Sequence, residues 1–418
     1  GSDGTFITEH TSDLLTSHSY EMFVGESMND RIRILQKVTM SFGGTDYSHS
    51  AASWVGTGSR DEGDSGNFII GKTFGQWISP IITGLLITFL RINVTFFMFI
   101  DKIFYKKLRY NKIVAPILVV GNPRSGTTFL HRYLVKHSFG AGTKLYQMLY
   151  PSVILQKIIK PFLPALEKIS PTRHHSTEAH KTSLDSVETD DASLMFRFLD
   201  GFFLYGFILS WSNEDLFDWV DPKKRDTSKR DYNWFKSMWL RAQISSGMNR
   251  TVAKLFSISA NVPKFLEYFP DAKLLYMIRD PLNVIPSGLS LVTGVLDKKF
   301  GFWSLPKKTR QNYIERLYKA LIELQVRFHD DWTNGRINKD KVMIVQFDRM
   351  MSDFEGLMKE IVIFTNHESS DELEQDVLKV AEKQRNYKSK HKYNLEKFGL
   401  TENRVRQDCK DIYETFLN

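Results

Sequence analysis

Cysteine is almost missing from this chain: Cys409 stands alone, so no disulfide can form within it and the fold does not depend on an oxidising compartment. Also missing is any His/Cys or carboxylate cluster with ligand spacing, so no metal is expected. No internal repeat is found, and there is no long tract of one charge sign. The 56 basic and 48 acidic residues are interspersed, leaving a net charge of +8. That excess suits an anionic ligand or an anionic membrane surface, whereas nucleic acid would call for a concentrated basic tract and is not expected as a partner. No signal peptide is evident, but the opening Gly1-Ser2 has the form of a tag-cleavage remnant, so that absence excludes little. The expectation is a cytoplasmic protein, with peripheral contact to a membrane as an open reading. Its oligomeric state is not legible.

What is abundant is apolar. The 418 residues are 42% hydrophobic and 25% charged, enough for a large core, and include 31 Phe. Such aromatic content implies a deep apolar interior or an apolar cleft, core packing being the simpler account. Residues 1–67 are polar, with a Ser/Gly-rich stretch at 56–66. An apolar segment from Phe74 to Ile100 follows, interrupted by Arg91, and the basic residues Lys102, Lys106, Lys107 and Arg109 close it. Thr73–Leu90 alone holds 18 uncharged residues, near the lower limit for a membrane span, but Gln76, Pro80 and Gly84 count against spanning. Three readings compete for residues 74–109: a buried helical pair, a hairpin docked on a membrane surface, and a true span. The chain is expected to divide into an N-terminal region, 1–110, and a larger domain, 111–418, that carries the motifs described below.

From residue 113 the pattern turns α/β. Val114–Gly121 is a short apolar run ending at glycine, as a buried parallel strand does. Thr251–Phe256, Lys273–Ile278 and Lys341–Phe347 are further strand candidates, each followed by a turn and a helical stretch. Thr127–His137 reads as helix. So does the segment Lys307–Trp332, where Tyr313, Leu317, Leu321, Leu324, Phe328 and Trp332 recur every three or four residues. Strands alternating with helices predict a doubly wound parallel sheet of P-loop-like form, flanked by helices. Residues 140–250 would form a helical cap on its acceptor side, with an extra helical region at the N-terminus.

The strongest chemical signal is Gly121-Asn-Pro-Arg-Ser-Gly-Thr-Thr-Phe129. A loop between a buried strand and a helix can aim backbone N–H groups and the helix N-terminus at an anion. Its rival is the nucleoside-triphosphate loop G-x-x-x-x-G-K-[ST]. Here Thr127 occupies the lysine position and the cation sits inside the loop, at Arg124. Pro-Arg-Ser-Gly-Thr-Thr after a hydrophobic strand resembles the phosphosulfate loop of the sulfotransferases that use 3′-phosphoadenosine 5′-phosphosulfate (PAPS), in the larger, mostly bacterial branch. By that resemblance Arg124, Ser125, Gly126, Thr127 and Thr128 bind the 5′-phosphosulfate of the co-substrate. Arg124 would stabilise the leaving phosphate of the product, PAP, and Phe129 would stack on adenine. No metal is required.

The second signal runs from Phe269 to Ser287: an apolar strand ending at Arg279, an Asp280-Pro281 turn, then a helix. Arg279 and Ser287 could converge on one anion across that turn, and the pattern is similar to the family's 3′-phosphate motif. Lys254 lies on a strand resembling one that bears a lysine close to the co-substrate, although the usual following proline is missing. Tyr387–Leu400 is similar to a basic segment of the same branch, which makes Ser389, Lys390 and Lys392 candidates for closing over the 3′-phosphate. The resemblance covers residues 113–400.

Sulfuryl transfer is an in-line displacement that needs a base for the acceptor proton. The polar stretch Arg173–Asp191 resembles the family segment that carries it. His180 is the first candidate, because imidazole titrates near neutrality, and Glu188 is the second. The expected partners are therefore the nucleotide co-substrate and a hydroxyl-bearing acceptor. Phe196, Phe198, Phe202, Phe203, Tyr205, Phe207, Trp211, Trp219, Trp234 and Trp239 favour an apolar or amphipathic acceptor, or are simply core. Two other readings of the loop are a phosphotransferase with a variant P-loop and a non-catalytic protein that binds the nucleotide.

Overall fold

The computed structural model describes Thr73 and residues 78–169, 182–386 and 394–417. Four strands form one sheet: β1 (Ile117–Val120), β2 (Val252–Lys254), β3 (Lys273–Ile278) and β4 (Val342–Gln346), in the order β2-β1-β3-β4. Every neighbouring pair is parallel. Each strand lies within the run that suggested it. β1 starts late because Pro116 has no N–H for a ladder and Ala115 holds a positive φ of 41°.

Nine helices matter for the site: α1 (Ile78–Phe104), α2 (Thr127–Lys136), α3 (Ala192–Phe198), α4 (Phe202–Phe207), α5 (Ser228–Ser246), α6 (Pro281–Phe300), α7 (Lys307–Thr333), α8 (Phe354–Thr365) and α9 (Asp371–Arg385). Alternation along the strands sends Ile117, Val119, Leu275 and Met277 to one face, where they pack on Leu130 of α2, Phe354 of α8 and Leu373 of α9. Leu118, Val120, Leu274 and Tyr276 face the other way, into the larger core with α5, α6 and α7. The Tyr276 ring stacks on Phe328 of α7 at a centroid distance of 3.3 Å, so the predicted stripe of that helix is core. Helices on both faces make the sheet doubly wound. Between β1 and β2, the described helices of residues 145–246 form the helical cap.

The order of the strands sets the place of the site. From β1 the chain moves to β2 on one flank of the sheet, whereas from β3 it moves to β4 on the other. The crevice beyond the carboxyl ends of β1 and β3 is thus the topological switch point, where open α/β sheets bind ligands.

Over its described residues, 78–104, the N-terminal apolar segment is neither a buried pair nor a hairpin. It is one helix, α1, and only 11% of its most apolar window is buried. Arg91 does not interrupt it, because the guanidinium turns toward the domain and its Nε donates to Phe196 O at 3.1 Å.

Candidate active site

The loop from β1 into α2 is shaped by its glycines. Gly121 has φ +132°, and a Cβ there would lie 2.5 Å from Met277 O on β3. Gly126, at φ +91°, is the N-cap of α2, and a Cβ would meet Met350 and Phe347 at under 3 Å. Lacking a side chain, Gly126 leaves the N–H groups of Thr127 and Thr128 at the start of α2 to a ligand, while Phe129 N donates back to Gly126 O at 3.1 Å. Ser125 is buried, and its hydroxyl donates to Asn122 O at 2.7 Å, tightening the turn. Arg124 carries the positive φ, 78°, that glycine usually supplies. Strain of this kind costs roughly 1–3 kcal/mol and gathers at ligand sites.

The second motif holds that strained residue. Arg279, at the end of β3, donates from Nη1 to Arg124 O at 3.0 Å, and its guanidinium lies 3.9 Å from the Phe347 ring centre. Asp280 caps α6 by accepting from Leu282 N, which fixes the first turns of the helix that carries Ser287. Ser287 is buried, and its Oγ accepts from Arg124 Nε at 2.9 Å. Two turns 155 residues apart in sequence therefore touch at the switch point.

A third strand end joins them. Lys254, at the end of β2, is 7% exposed and donates from Nζ to Thr128 Oγ1 at 2.9 Å. Burial lowers its pKa; Glu188, Asp190 and Asp191 oppose that shift and Arg132 adds to it. Thr127 is buried at the start of α2. Phe129, 38% exposed, packs edge-on against Phe354 at 5.7 Å and alongside Tyr133.

Glu188 is buried, with Oε1 accepting from Arg132 Nη2 at 2.5 Å and from Ser186 Oγ at 2.9 Å. Two further acids follow. Asp190 accepts from Lys254 N and Trp239 Nε1, and burial pushes it up to about 7. Asp191 accepts from Phe256 N and Ser257 N. Through these bonds the 188–191 segment is stitched along the end of β2. His180, Ser389, Lys390 and Lys392 lie outside the described residues.

Sequence reasoning overlooked Arg132, which ties Glu188 to α2, and Phe347, the platform under Arg279. The first had a signal: Arg132 follows Thr128 by one helical turn, on the same face. The aromatic set of the cap divides. Tyr205, Trp211, Trp234 and Trp239 are buried core. Phe202 and Phe203 are half-buried and cluster on Phe256, two residues past Lys254, at 6.2 and 5.5 Å. Among the described residues, no group of three or more His, Cys, Asp or Glu is arranged to hold a metal.

Taken together, two guanidinium groups, a buried lysine, small hydroxyls and a helix N-terminus converge on one crevice, a donor set that fits a polyanion with phosphates at separate positions. Solved structures share the architecture. A sulfotransferase STF1 from Mycobacterium tuberculosis superposes with a TM-score of 0.62 over 92% of this chain and 98% of its own, at 16% identity. For sulfotransferase STF9 from Mycobacterium avium the values are 0.66, 94%, 98% and 17%. In sequence, the omega-hydroxy-beta-dihydromenaquinone-9 sulfotransferases Stf3 of Mycobacterium bovis and M. tuberculosis are 24% identical over 282 residues, which are 61% of this chain and 69% of theirs. The pattern of the Sulfotransferase family itself runs through residues 116–371, from β1 to the start of α9. With more than half of its length so matched, and with the Gly121–Phe129 loop inside the match, this chain belongs to the sulfotransferase family.

Proposed function

We propose that this protein transfers the sulfuryl group of PAPS to a hydroxyl of an apolar or amphipathic acceptor. The observation that carries the reading is the contact between the two phosphate motifs, Arg279 to Arg124 O and Arg124 to Ser287. PAPS supplies the sulfuryl group and leaves as PAP. The α2 N-terminus, Ser125, Gly126, Thr127 and Thr128 receive the 5′-phosphosulfate; Arg279 and Ser287 receive the 3′-phosphate, with Ser389, Lys390 and Lys392 closing over it. Phe129 offers a ring face to adenine. Arg124 and Lys254 hold positive charge where the leaving phosphate gains negative charge, which is the larger part of such catalysis. His180, or Glu188 beside Lys254, removes the acceptor proton.

The half-buried rings of Phe202, Phe203 and Phe256 favour an apolar acceptor, as does the menaquinone in the name of the mycobacterial relatives. The apolar, exposed α1 supports contact between residues 74–109 and a membrane surface. Incubation with sulfur-labelled PAPS and a panel of alcohols and sugars tests the proposal. Label should reach long-chain alcohols in the presence of EDTA and fail to reach free sugars. Consumption of ATP that depends on magnesium, or PAP binding with no transfer to any acceptor, would overturn it.

A further inference from the structure

α1 has two opposed sides. Toward the domain it presents polar anchors: fully buried Asp101 accepts from Arg241 Nε at 2.9 Å, Ser152 Oγ at 3.0 Å and Val153 N at 2.9 Å. Thr95 Oγ1 accepts from Arg197 Nη1 at 2.8 Å, while Arg91 reaches Phe196 O. These contacts hold the helix from Arg91 onward against the domain. Crossing a bilayer in this arrangement would carry the Asp101–Arg241 pair and the structure around it into hydrocarbon, at high cost. A span is therefore incompatible with the observed docking.

The other side is apolar. Leu85, Phe89, Ile92, Phe96, Phe99 and Ile103, spaced alternately by four and three residues, form one stripe and are each more than half exposed. At its C-terminal end Lys102, Lys106, Lys107, Arg109 and Lys112 are exposed. Asp101 is the only acid from residue 73 to 112, and it is buried. Beside Phe104, a cavity of about 450 Å³ has Lys106 and Lys107 in its lining, together with apolar Leu240, Ile244 and Met248 and the amides of Asn111, Gln243 and Asn249. A second copy laid stripe to stripe in the same direction would bring these cations together with no acid to meet them.

We propose that α1 lies in the plane of an anionic phospholipid surface, with the stripe below the headgroups and the Lys/Arg cluster on lipid phosphates. This deepens the membrane-contact reading of residues 74–109 and does not depend on the acceptor. Because α1 packs on α3, which begins one residue after Asp191, the bound surface would lie one helix away from the acceptor side.

Flotation of the full chain with phosphatidylcholine vesicles, with and without phosphatidylglycerol, tests it. The protein should float with the anionic vesicles and not with phosphatidylcholine alone, and salt should release it. Lys106→Gln with Lys107→Gln should weaken binding roughly 25-fold, about fivefold for each cation. Phe89→Asp with Phe96→Asp should abolish flotation. Both variants should still bind PAP like the parent, which shows that they are folded. Equal flotation with both vesicles would overturn the anionic requirement while leaving membrane contact standing. No flotation would overturn the inference, and so would a dimer in solution that the Phe89/Phe96 variant converts to monomer. Loss of PAP binding by the parent protein would instead strike at the proposed function.

Discussion

Removing the Arg279 side chain separates the tether that the structure shows on the strained Arg124 backbone from the role in the proposed function, a cation for the 3′-phosphate. The tether serves any nucleotide with a 5′-phosphate, so its loss should weaken PAP and AMP by the same factor. The phosphate contact serves PAP alone. A cycle of parent and Arg279→Ala against PAP and AMP, measured by calorimetry, therefore cancels the first effect and leaves the second. One charge-assisted contact to a buried phosphate contributes about 1.5–3 kcal/mol, so the extra loss for PAP should be about 10- to 150-fold. Arg279→Lys should fall between, since it keeps charge but loses the planar fork and the face that rests on Phe347. If Arg279→Ala weakens PAP and AMP equally, the residue is only a tether and the second phosphate site is misassigned.

Lys254→Met should lower kcat by about 100- to 1000-fold, as loss of one donor to a developing anion does, and rate measurements at saturating PAPS would check it. Asp101→Ala leaves Arg241 buried without its counter-ion and should cost about 3–5 kcal/mol in chemical unfolding, with much of it recovered by adding Arg241→Met. His131 should give an acid-sensitive slope. Burial, aided by the charge of Lys254, pushes this imidazole down to about 3 from the usual 6.5. Between those values the unfolded chain binds the extra proton, so stability falls as pH drops, by up to about 1.4 kcal/mol per pH unit. His131→Gln keeps a donor for Val252 O and should flatten the slope. Asp190, raised to about 7 from 3.8, acts in the opposite sense, so the difference between variant and parent is the diagnostic quantity. Parallel slopes would contradict the assignment.

The strands were legible because buried parallel strands are continuous apolar runs, and Ile117–Val120 and Lys273–Ile278 read as little else. The Gly121–Phe129 loop was legible because Gly121 and Gly126 stand where the backbone takes a positive φ, whereas the positive φ of Arg124 could not be read from its residue type. The meeting of Arg279 with Arg124 was expected from the resemblance, since one ligand with two phosphates would need both turns together. Features decided by tertiary packing stayed hidden. Nothing local in Arg91 tells whether it breaks a helix or turns its guanidinium to the carbonyl of Phe196, 105 residues away. The ten aromatic residues of the cap look alike in sequence, and only packing divides Trp239, which is core, from Phe203, which faces Phe256.

The most direct test of the central claim, that the turns at Arg124 and Arg279 grip one nucleotide through two phosphates, is calorimetry of the unaltered protein with PAP and with ADP. Both ligands carry two phosphates, but only PAP carries one at the 3′ position. PAP should bind at least about tenfold tighter, the equivalent of one buried phosphate contact. Equal affinities, or a preference for ADP, would contradict the account.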